Sequence, residues 1–158
     1  MNQFKGHIVF DWEGTCAIGM ANRPYALFTG IESLFSQLKR EGYALYIWTS
    51  RTRPSMLRIL DEFQVRHFFK EINTASDNDP KPNPIGLETM LLEIDRDKII
   101  HIGDSYTDII GAKKFGIKVA SPGWNPYLDH DTLTQFGVDF IANHPEDFLQ
   151  FIKNTIKE

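Results

Sequence analysis

The chain has 158 residues, of which 42% are apolar and 24% charged, a composition typical of one globular domain that buries its own core. Its 17 basic and 21 acidic side chains give a formal net charge of −4, so we expect neither nucleic acid nor an anionic membrane as a partner. No stretch reaches the roughly 20 apolar residues of a membrane helix, and the first residues lack the apolar segment of a secretory signal, which favours a soluble, cytoplasmic protein.

Short apolar runs alternate with segments of helical period from the first strand onward, which indicates strand–helix–strand units. In the first half of the chain, this pattern predicts strands at 7–10 and 43–48, and helices at 31–41 and 54–63. The apolar residues of the first helix recur at intervals of three and four and would form one buried face. The strand at 43–48 is almost wholly apolar, as expected in a parallel sheet covered on both faces.

The second half of the chain continues the alternation after a polar loop at 76–84 that contains three prolines. We predict strands at 71–75, 98–102, 118–120 and 139–142, and helices at 84–94, at 106–115 and from 145 onward. Five or six strands with helices between them predict a doubly wound parallel α/β sheet in three layers, α/β/α. We expect residues 1–158 to form a single domain.

Polar residues follow four of these segments, at the points where ligands bind in doubly wound sheets. Asp11 follows the first strand, Thr49 the second and Asp104 the fourth, and Lys81 lies in the loop after the third strand. The carboxyl ends of parallel strands meet at one edge of a sheet. We therefore expect these four side chains to lie together, although they are far apart in the sequence.

Four short motifs around these residues resemble those of the haloacid dehalogenase-like superfamily. They read Phe-Asp-Trp-Glu-Gly-Thr at 10–15, Ile-Trp-Thr at 47–49, Lys-Pro at 81–82 and Gly-Asp-Ser-Tyr-Thr-Asp at 103–108. They occur in the family's order and span about three fifths of the chain, and the predicted elements outside them fit the same Rossmannoid fold. The resemblance implies a phosphatase that hydrolyses phosphomonoesters with Mg²⁺ as its cofactor.

The resemblance also implies a role for each motif residue. Asp11 would be the nucleophile that forms an aspartyl-phosphate, which splits one difficult displacement into two easier ones. Mg²⁺ prefers oxygen ligands, and Asp11, the backbone carbonyl of Glu13, Asp104 and, directly or through water, Asp108 would supply them. The lone Cys16 cannot build a thiolate site, so any metal must be held by oxygen or imidazole.

The remaining motif residues would bind the phosphoryl group. Lys81 would neutralise the phosphoryl oxygens and the nucleophile, and the Thr49 hydroxyl would bind a phosphate oxygen, with Ser50 as an auxiliary donor. Lys81 has a simpler reading as a loop residue that pairs with Asp77 or Asp79. Asp108 could likewise be only a first-turn charge favoured by the helix dipole.

Glu13 departs from the family pattern, because most phosphatases of the family carry Asp at this position as the general acid and base. Glu keeps the carboxyl group but adds one methylene, which moves it by roughly 1.5 Å. A misplacement near 1 Å can cost on the order of a hundredfold in rate. Three consequences are open: the site is rebuilt around the longer side chain, turnover is slow, or the phospho-enzyme lives longer than usual. Glu13 could also be a non-catalytic surface residue.

The spacing of the motifs leaves no room for a separate cap domain. Each interval between Asp11, Thr49 and Lys81 is filled by one strand–helix unit and a loop, so only a short flap at about 16–30 is spare. Arg23 and Tyr25 in that flap are candidates for substrate contact. Members of the family without a cap act on large substrates or borrow a lid from a neighbouring subunit. The partner is therefore a small phosphomonoester or a larger phosphorylated substrate, and an oligomer is possible.

Three alternatives follow from the same residues. A weakened domain that binds a phosphorylated ligand or protein without efficient turnover is suggested by Glu13 and the missing cap. A haloacid dehalogenase would use the same nucleophile without a metal, but relatives with that activity generally lack the acidic pair present here as Glu13 and Asp104. A phosphorylation-receiver domain carries its acceptor Asp on a later strand. Cys16 and His101 are interpreted as core residues.

Overall fold

The computed structural model describes residues 3–158, so the first two positions of the predicted 1–158 domain lie outside the described residues. The described chain forms eight strands, named here in chain order: β1 (Gly6–Phe10), β2 (Ala17–Met20), β3 (Arg23–Leu27), β4 (Tyr43–Trp48), β5 (Phe69–Asn73), β6 (Ile99–Ile102), β7 (Lys118–Pro122) and β8 (Phe140–Ala142). Six of them form one sheet in the order β5-β4-β1-β6-β7-β8, and every neighbouring pair is parallel. The predicted doubly wound sheet is confirmed.

Helices cover both faces of this sheet. They are α1 (Ile31–Arg40), α2 (Arg53–Glu62), α3 (Ile85–Leu91), α4 (Tyr106–Phe115), α5 (His130–Gln135) and α6 (Pro145–Thr155). One core packs the sheet against α1, α2 and α6, and a second core packs the opposite face against α3, α4 and α5. Strand β4 contributes alternate side chains to the two cores, which explains why it is apolar throughout and confirms the three-layer arrangement.

The clearest differences from the predicted elements concern one strand and two helices. Strand β5 begins and ends two residues before the predicted range, because Phe69 and Ile72 pack against the core while the Asp77 carboxylate accepts from the Thr74 N–H and turns the chain. Helix α3 ends at Leu91, three residues before the predicted end. Helix α5 was not predicted, because it is six residues long and buries only Leu133.

Strands β2 and β3 pair antiparallel and form a hairpin inside the predicted flap at 16–30. The hairpin starts close to the carboxyl end of β1: the Phe28 N–H donates to the Cys16 carbonyl, and the Cys16 N–H donates to the Trp12 carbonyl. Trp12 and Cys16 are fully buried, so the base of the hairpin belongs to the core. No helix within residues 3–158 has the length and apolar character needed to cross a membrane.

Candidate active site

The candidate site lies at the carboxyl ends of the three adjacent strands β4, β1 and β6. Asp11 directly follows β1, Thr49 directly follows β4, and Gly103 and Asp104 follow β6. A cavity of about 490 Å³ opens at this edge of the sheet. All seven of the residues predicted for the site line it: Asp11, Glu13, Thr49, Ser50, Lys81, Asp104 and Asp108.

Lys81 and two carboxylates form the buried centre of the site. Lys81 Nζ lies 3.0 Å from Asp11 Oδ1 and 2.7 Å from Asp108 Oδ1. The side chains of Lys81, Asp11 and Asp108 are 4%, 9% and 1% exposed. Burial lowers the pKa of Lys81, but the charges of Asp108 and Asp11 outweigh it and hold that pKa above its ordinary value. The ammonium therefore pairs with both carboxylates, while Asp77 pairs instead with Arg53.

Asp108 is bound on both of its carboxylate oxygens. Oδ1 accepts from Lys81 and lies 2.9 Å from His101 Nε2, and Oδ2 accepts from the Ser105 N–H and hydroxyl. The bonds to Ser105 close a capping box at the start of α4. Burial raises the pKa of Asp108, but the opposing effect of Lys81 and His101 is larger, so the pKa lies below its ordinary value. Asp108 is thus held as a carboxylate beside Lys81.

Asp104 completes a group of three acidic side chains. One carboxylate oxygen each from Asp11, Asp104 and Asp108 lies within 4.8 Å of the others. Burial and then the charge of Asp11 raise the pKa of Asp104 to about 9. Gly14 allows this approach: its φ is +77°, and a Cβ there would overlap the Asp104 carboxylate. The cluster thus offers closely spaced oxygen donors and an excess of negative charge, which fits a hard divalent cation.

Glu13 lies at the rim of the cavity and is held by two partners. Its Oε1 accepts from Arg51 Nη1 at 2.5 Å and from the Tyr25 hydroxyl at 2.8 Å. Tyr25 projects from β3 of the hairpin and also accepts from Trp12 Nε1 at 3.0 Å. The hairpin therefore contributes a contact to the site, through the hydrogen bond from Tyr25 to Glu13.

The Thr49 side chain shapes the loop on the other wall of the cavity. Thr49 is 4% exposed, and its Oγ1 accepts from the backbone N–H of Arg51 at 3.1 Å. The Thr49 N–H donates to the Asn73 carbonyl on β5. These bonds fix the turn that carries Ser50 and Arg51 into the cavity lining. Hydroxyl and amide groups at this turn are suitable donors to phosphate oxygens.

Sequence reasoning missed the contacts that three further residues make with the residues of this site. Arg51 lies two positions after Thr49, but its contact with Glu13 joins positions far apart in the sequence. His101 was interpreted as a core residue; it is fully buried, and its second ring nitrogen lies 2.8 Å from the Val9 carbonyl. Thr15 ends the first motif, and its hydroxyl donates to Asp11 Oδ2 at 3.3 Å. A polar residue inside an apolar strand was the available signal for His101.

A second and larger cavity, of about 710 Å³, lies at the opposite edge of the sheet. It is lined by the residues that start β6 and β7 and by several exposed charged side chains. None of the predicted site residues is among its lining residues. The smaller cavity is taken as the candidate site because it, and not the larger one, holds the acidic cluster and the buried lysine.

The chain was also compared with known proteins. Residues 18–121 match the family model described as haloacid dehalogenase-like hydrolase. Pyrophosphatase PpaX of Halalkalibacterium halodurans is 29% identical over 128 residues, which cover 79% of this chain and 59% of that protein. The chain thus spans about six tenths of the length of this curated relative.

Solved structures share the fold at low sequence identity. A haloacid dehalogenase-like hydrolase from Streptococcus pneumoniae aligns with a TM-score of 0.78 and 19% identity, covering 94% of this chain and 98% of the other. A predicted phosphatase from Clostridium acetobutylicum aligns with a TM-score of 0.81 and 19% identity over 96% and 100% of the two chains. These likenesses concern the fold, whereas the family model matches the sequence itself over more than half of its length. The chain belongs to the haloacid dehalogenase-like hydrolase family.

Proposed function

We propose that the protein is a Mg²⁺-dependent phosphatase that hydrolyses phosphomonoesters through an aspartyl-phosphate on Asp11. The observation that carries the proposal is the position of Asp11: its carboxylate lies at the end of β1, bonded to Lys81 and within an acidic cluster that lines the cavity. A carboxylate in this position can attack phosphorus while cationic groups offset the negative charge of the phosphoryl oxygens.

The residues of the acidic cluster fit Mg²⁺ through their donor chemistry. Asp11, Asp104 and the backbone carbonyl of Glu13 would hold the cation, with Asp108 joining directly or through water. Because both oxygens of Asp108 and both oxygens of Asp11 already accept hydrogen bonds, Asp104 is the side chain of the cluster that is more available to a metal. When bound, Mg²⁺ supplies positive charge between the phosphate and the anionic nucleophile, which otherwise repel each other.

The first step forms a bond between an Asp11 carboxylate oxygen and phosphorus while the bond from phosphorus to the ester oxygen breaks. Glu13 donates a proton to the departing oxygen. A water molecule then attacks phosphorus and returns a proton to Glu13 as the Asp11–phosphorus bond breaks. Lys81 balances charge on the nucleophile and the phosphoryl group, and Thr49 and Ser50 donate to the phosphoryl oxygens.

We further propose that residues 1–158 act as one domain with the β2–β3 hairpin as its flap, without a separate cap. The hairpin contacts the site through Tyr25 and Glu13, which supports this assignment. A small flap leaves the cavity open to small phosphomonoesters and to larger phosphorylated substrates. Because curated relatives are named pyrophosphatases, inorganic pyrophosphate belongs among the candidate substrates.

The proposal is tested by phosphate release from p-nitrophenyl phosphate, a phosphomonoester panel and pyrophosphate, with Mg²⁺ and with EDTA. We expect metal-dependent release that falls by at least about a thousandfold in Asp11→Asn. Glu93→Gln, which removes an exposed carboxylate outside the cavity, is the matched control and should keep the wild-type rate. Metal-independent release, or full activity of Asp11→Asn, would contradict the proposed mechanism.

A second candidate is a domain that binds a phosphorylated ligand without efficient turnover. It is favoured by the contacts of Glu13, whose Oε1 is engaged by Arg51 and Tyr25. Saturable binding of phosphate without steady-state release in the wild type would support it. A large gain of activity in Glu13→Asp would show that the longer side chain is the cause of the weak turnover.

A further inference from the structure

A cluster of three side chains at the rim of the cavity points to a preference for one class of substrate. Arg51 and Tyr25 both donate to the same oxygen of Glu13, and the side chains of Arg51 and Glu13 are 29% and 47% exposed. Each member comes from a different part of the chain: the loop after β1, the hairpin, and the loop before α2. The cluster therefore joins the flap to the two walls of the cavity.

Arg51 is held more firmly than Glu13. Its Nε donates to Ser55 Oγ at 3.1 Å, its backbone N–H donates to Thr49, and its guanidinium carbon lies 5.9 Å from the centre of the Tyr25 ring. The pair with Glu13 is partly exposed to solvent, and such ion pairs contribute little to stability. Replacement of the Glu13 carboxylate by another anion at Arg51 would therefore cost little.

The charges lining the cavity leave Arg51 as the cation available to a second anion. The basic residues among the described lining of this cavity are Lys81 and Arg51. Lys81 is buried between Asp11 and Asp108, whereas Arg51 faces the open rim. A guanidinium presents its N–H groups as a planar fork that matches the oxygens of a carboxylate or phosphate. It already holds one carboxylate, that of Glu13.

We propose that Arg51 selects substrates whose leaving group carries a second anionic group, and that binding of this group at Arg51 releases Glu13. The inference rests on the proposed function, in which Glu13 faces the departing oxygen. A group that binds at Arg51 therefore belongs to the leaving side of the substrate. A carboxylate or a second phosphate has the required chemistry. Substrates without such a group leave Glu13 paired with Arg51 and away from the proton transfer.

The test compares two phosphomonoesters that differ in one group. Phosphoglycolate carries a carboxylate where 2-hydroxyethyl phosphate carries a neutral hydroxymethyl group. Pyrophosphate is added as a third substrate, in which the second anionic group is a phosphate. We expect the wild type to favour phosphoglycolate or pyrophosphate over 2-hydroxyethyl phosphate in kcat/KM by about tenfold to a hundredfold. Arg51→Gln should reduce this ratio to near one, and Arg51→Lys should retain part of it. The two anionic substrates show which group is preferred.

Arg53→Gln is the matched control. Arg53 lies two positions further along, and its Nη2 lies 2.6 Å from a carboxylate oxygen of Asp77, but it is not among the residues that line the cavity. This variant should keep the wild-type ratio. Because the ratio is measured within each variant, partial unfolding affects both substrates equally and does not change it.

Two outcomes would overturn the inference: a wild type without preference, or an Arg51→Gln variant that loses activity on all substrates to the same extent. Failure of the proposed function gives a different result, namely no release from any substrate. Titration calorimetry with the same compounds then decides the inference. Tighter binding of phosphoglycolate or pyrophosphate than of 2-hydroxyethyl phosphate, lost in Arg51→Gln and kept in Arg53→Gln, supports it, and equal binding of all three overturns it.

Discussion

The ammonium nitrogen of Lys81 lies 4.7 Å from the centre of the Trp48 ring. Trp48 is 2% exposed and ends β4, one position before Thr49. The lysine is therefore held between two carboxylates and the face of an indole, which attracts a cation. This arrangement explains how a charged lysine from a proline-rich loop is kept in the interior of the protein.

Replacement of Lys81 by Met should destabilise the fold strongly. The substitution leaves Asp11 and Asp108 buried without their cation, and breaking a buried ion pair on one side typically costs about 3–5 kcal/mol. We expect a loss of this size in the free energy of unfolding, measured by urea denaturation in EDTA. Lys118→Met, which removes a 63% exposed lysine 3.8 Å from Asp139, should change it by less than about 1 kcal/mol. Equal effects of the two substitutions would show that the ion pairs of Lys81 with the two carboxylates do not stabilise the fold.

Gly111→Ala should also destabilise, although it replaces glycine inside a helix. An added Cβ at this position in α4 would lie 2.5 Å from Trp48 Cη2 and 3.2 Å from the Pro82 carbonyl. Helix propensity alone favours Ala by about 1 kcal/mol, whereas overpacking costs about 1–3 kcal/mol. We expect a net loss in the free energy of unfolding, measured in urea. A gain would show that the indole moves at little cost.

The fold was predictable because its signals are local. Apolar runs and helical periods each extend over a few residues, and the carboxyl ends of the strands indicated where Asp11, Thr49 and Asp104 meet. Helix α5 escaped prediction because its sequence, His-Asp-Thr-Leu-Thr-Gln, has no apolar stripe. The Asp129 side chain accepts from the Thr132 N–H at the start of this helix, and this cap is its clearest sequence signal.

The contacts within the site were less predictable because they join distant positions. Nothing near Glu13 in the sequence indicates that Arg51 and Tyr25 share its carboxylate oxygen. The sequence left open whether Lys81 pairs with nearby Asp77 or with the motif residues. In the fold Lys81 pairs with Asp11, and Asp77 pairs with Arg53. Residue types and the positions of strand ends thus predict which residues belong to the site, whereas the hydrogen-bond and ion-pair partners of each residue depend on the tertiary structure.

The single thiol should be unreactive in the native protein. Cys16 is fully buried, its Sγ–H donates to the Asp11 carbonyl at 3.3 Å, and burial raises its pKa well above the ordinary value. We expect reaction with Ellman's reagent to be at least about a thousandfold slower than in urea, because it requires unfolding. Ser33→Cys, which places a thiol on the exposed face of α1, should add one thiol that reacts rapidly. Rapid labelling of Cys16 in the wild type would reveal local opening at the base of the hairpin.

Replacement of Asp104 by Asn should stabilise the metal-free protein and abolish its response to Mg²⁺. The pKa of this carboxyl is raised to about 9 by burial and by Asp11, so at neutral pH the metal-free fold must take up a proton on Asp104, which costs free energy. We expect Asp104→Asn in EDTA to gain about 1–2 kcal/mol in the free energy of unfolding. In the wild type, Mg²⁺ at a hundred times its Kd should add ~2.7 kcal/mol, or about 5–10 °C in Tm.

Asp97→Asn, which removes an exposed carboxylate that is not among the residues lining the candidate site, is the control for this experiment. It should leave both the Tm in EDTA and the shift with Mg²⁺ at their wild-type values, measured by thermal unfolding. Asp104→Asn should show a raised Tm in EDTA and little further rise with Mg²⁺, because the carboxylate that is more available to the cation is lost. A full Mg²⁺ shift in Asp104→Asn would place the cation elsewhere, and no shift in the wild type would argue against a magnesium site in this cluster.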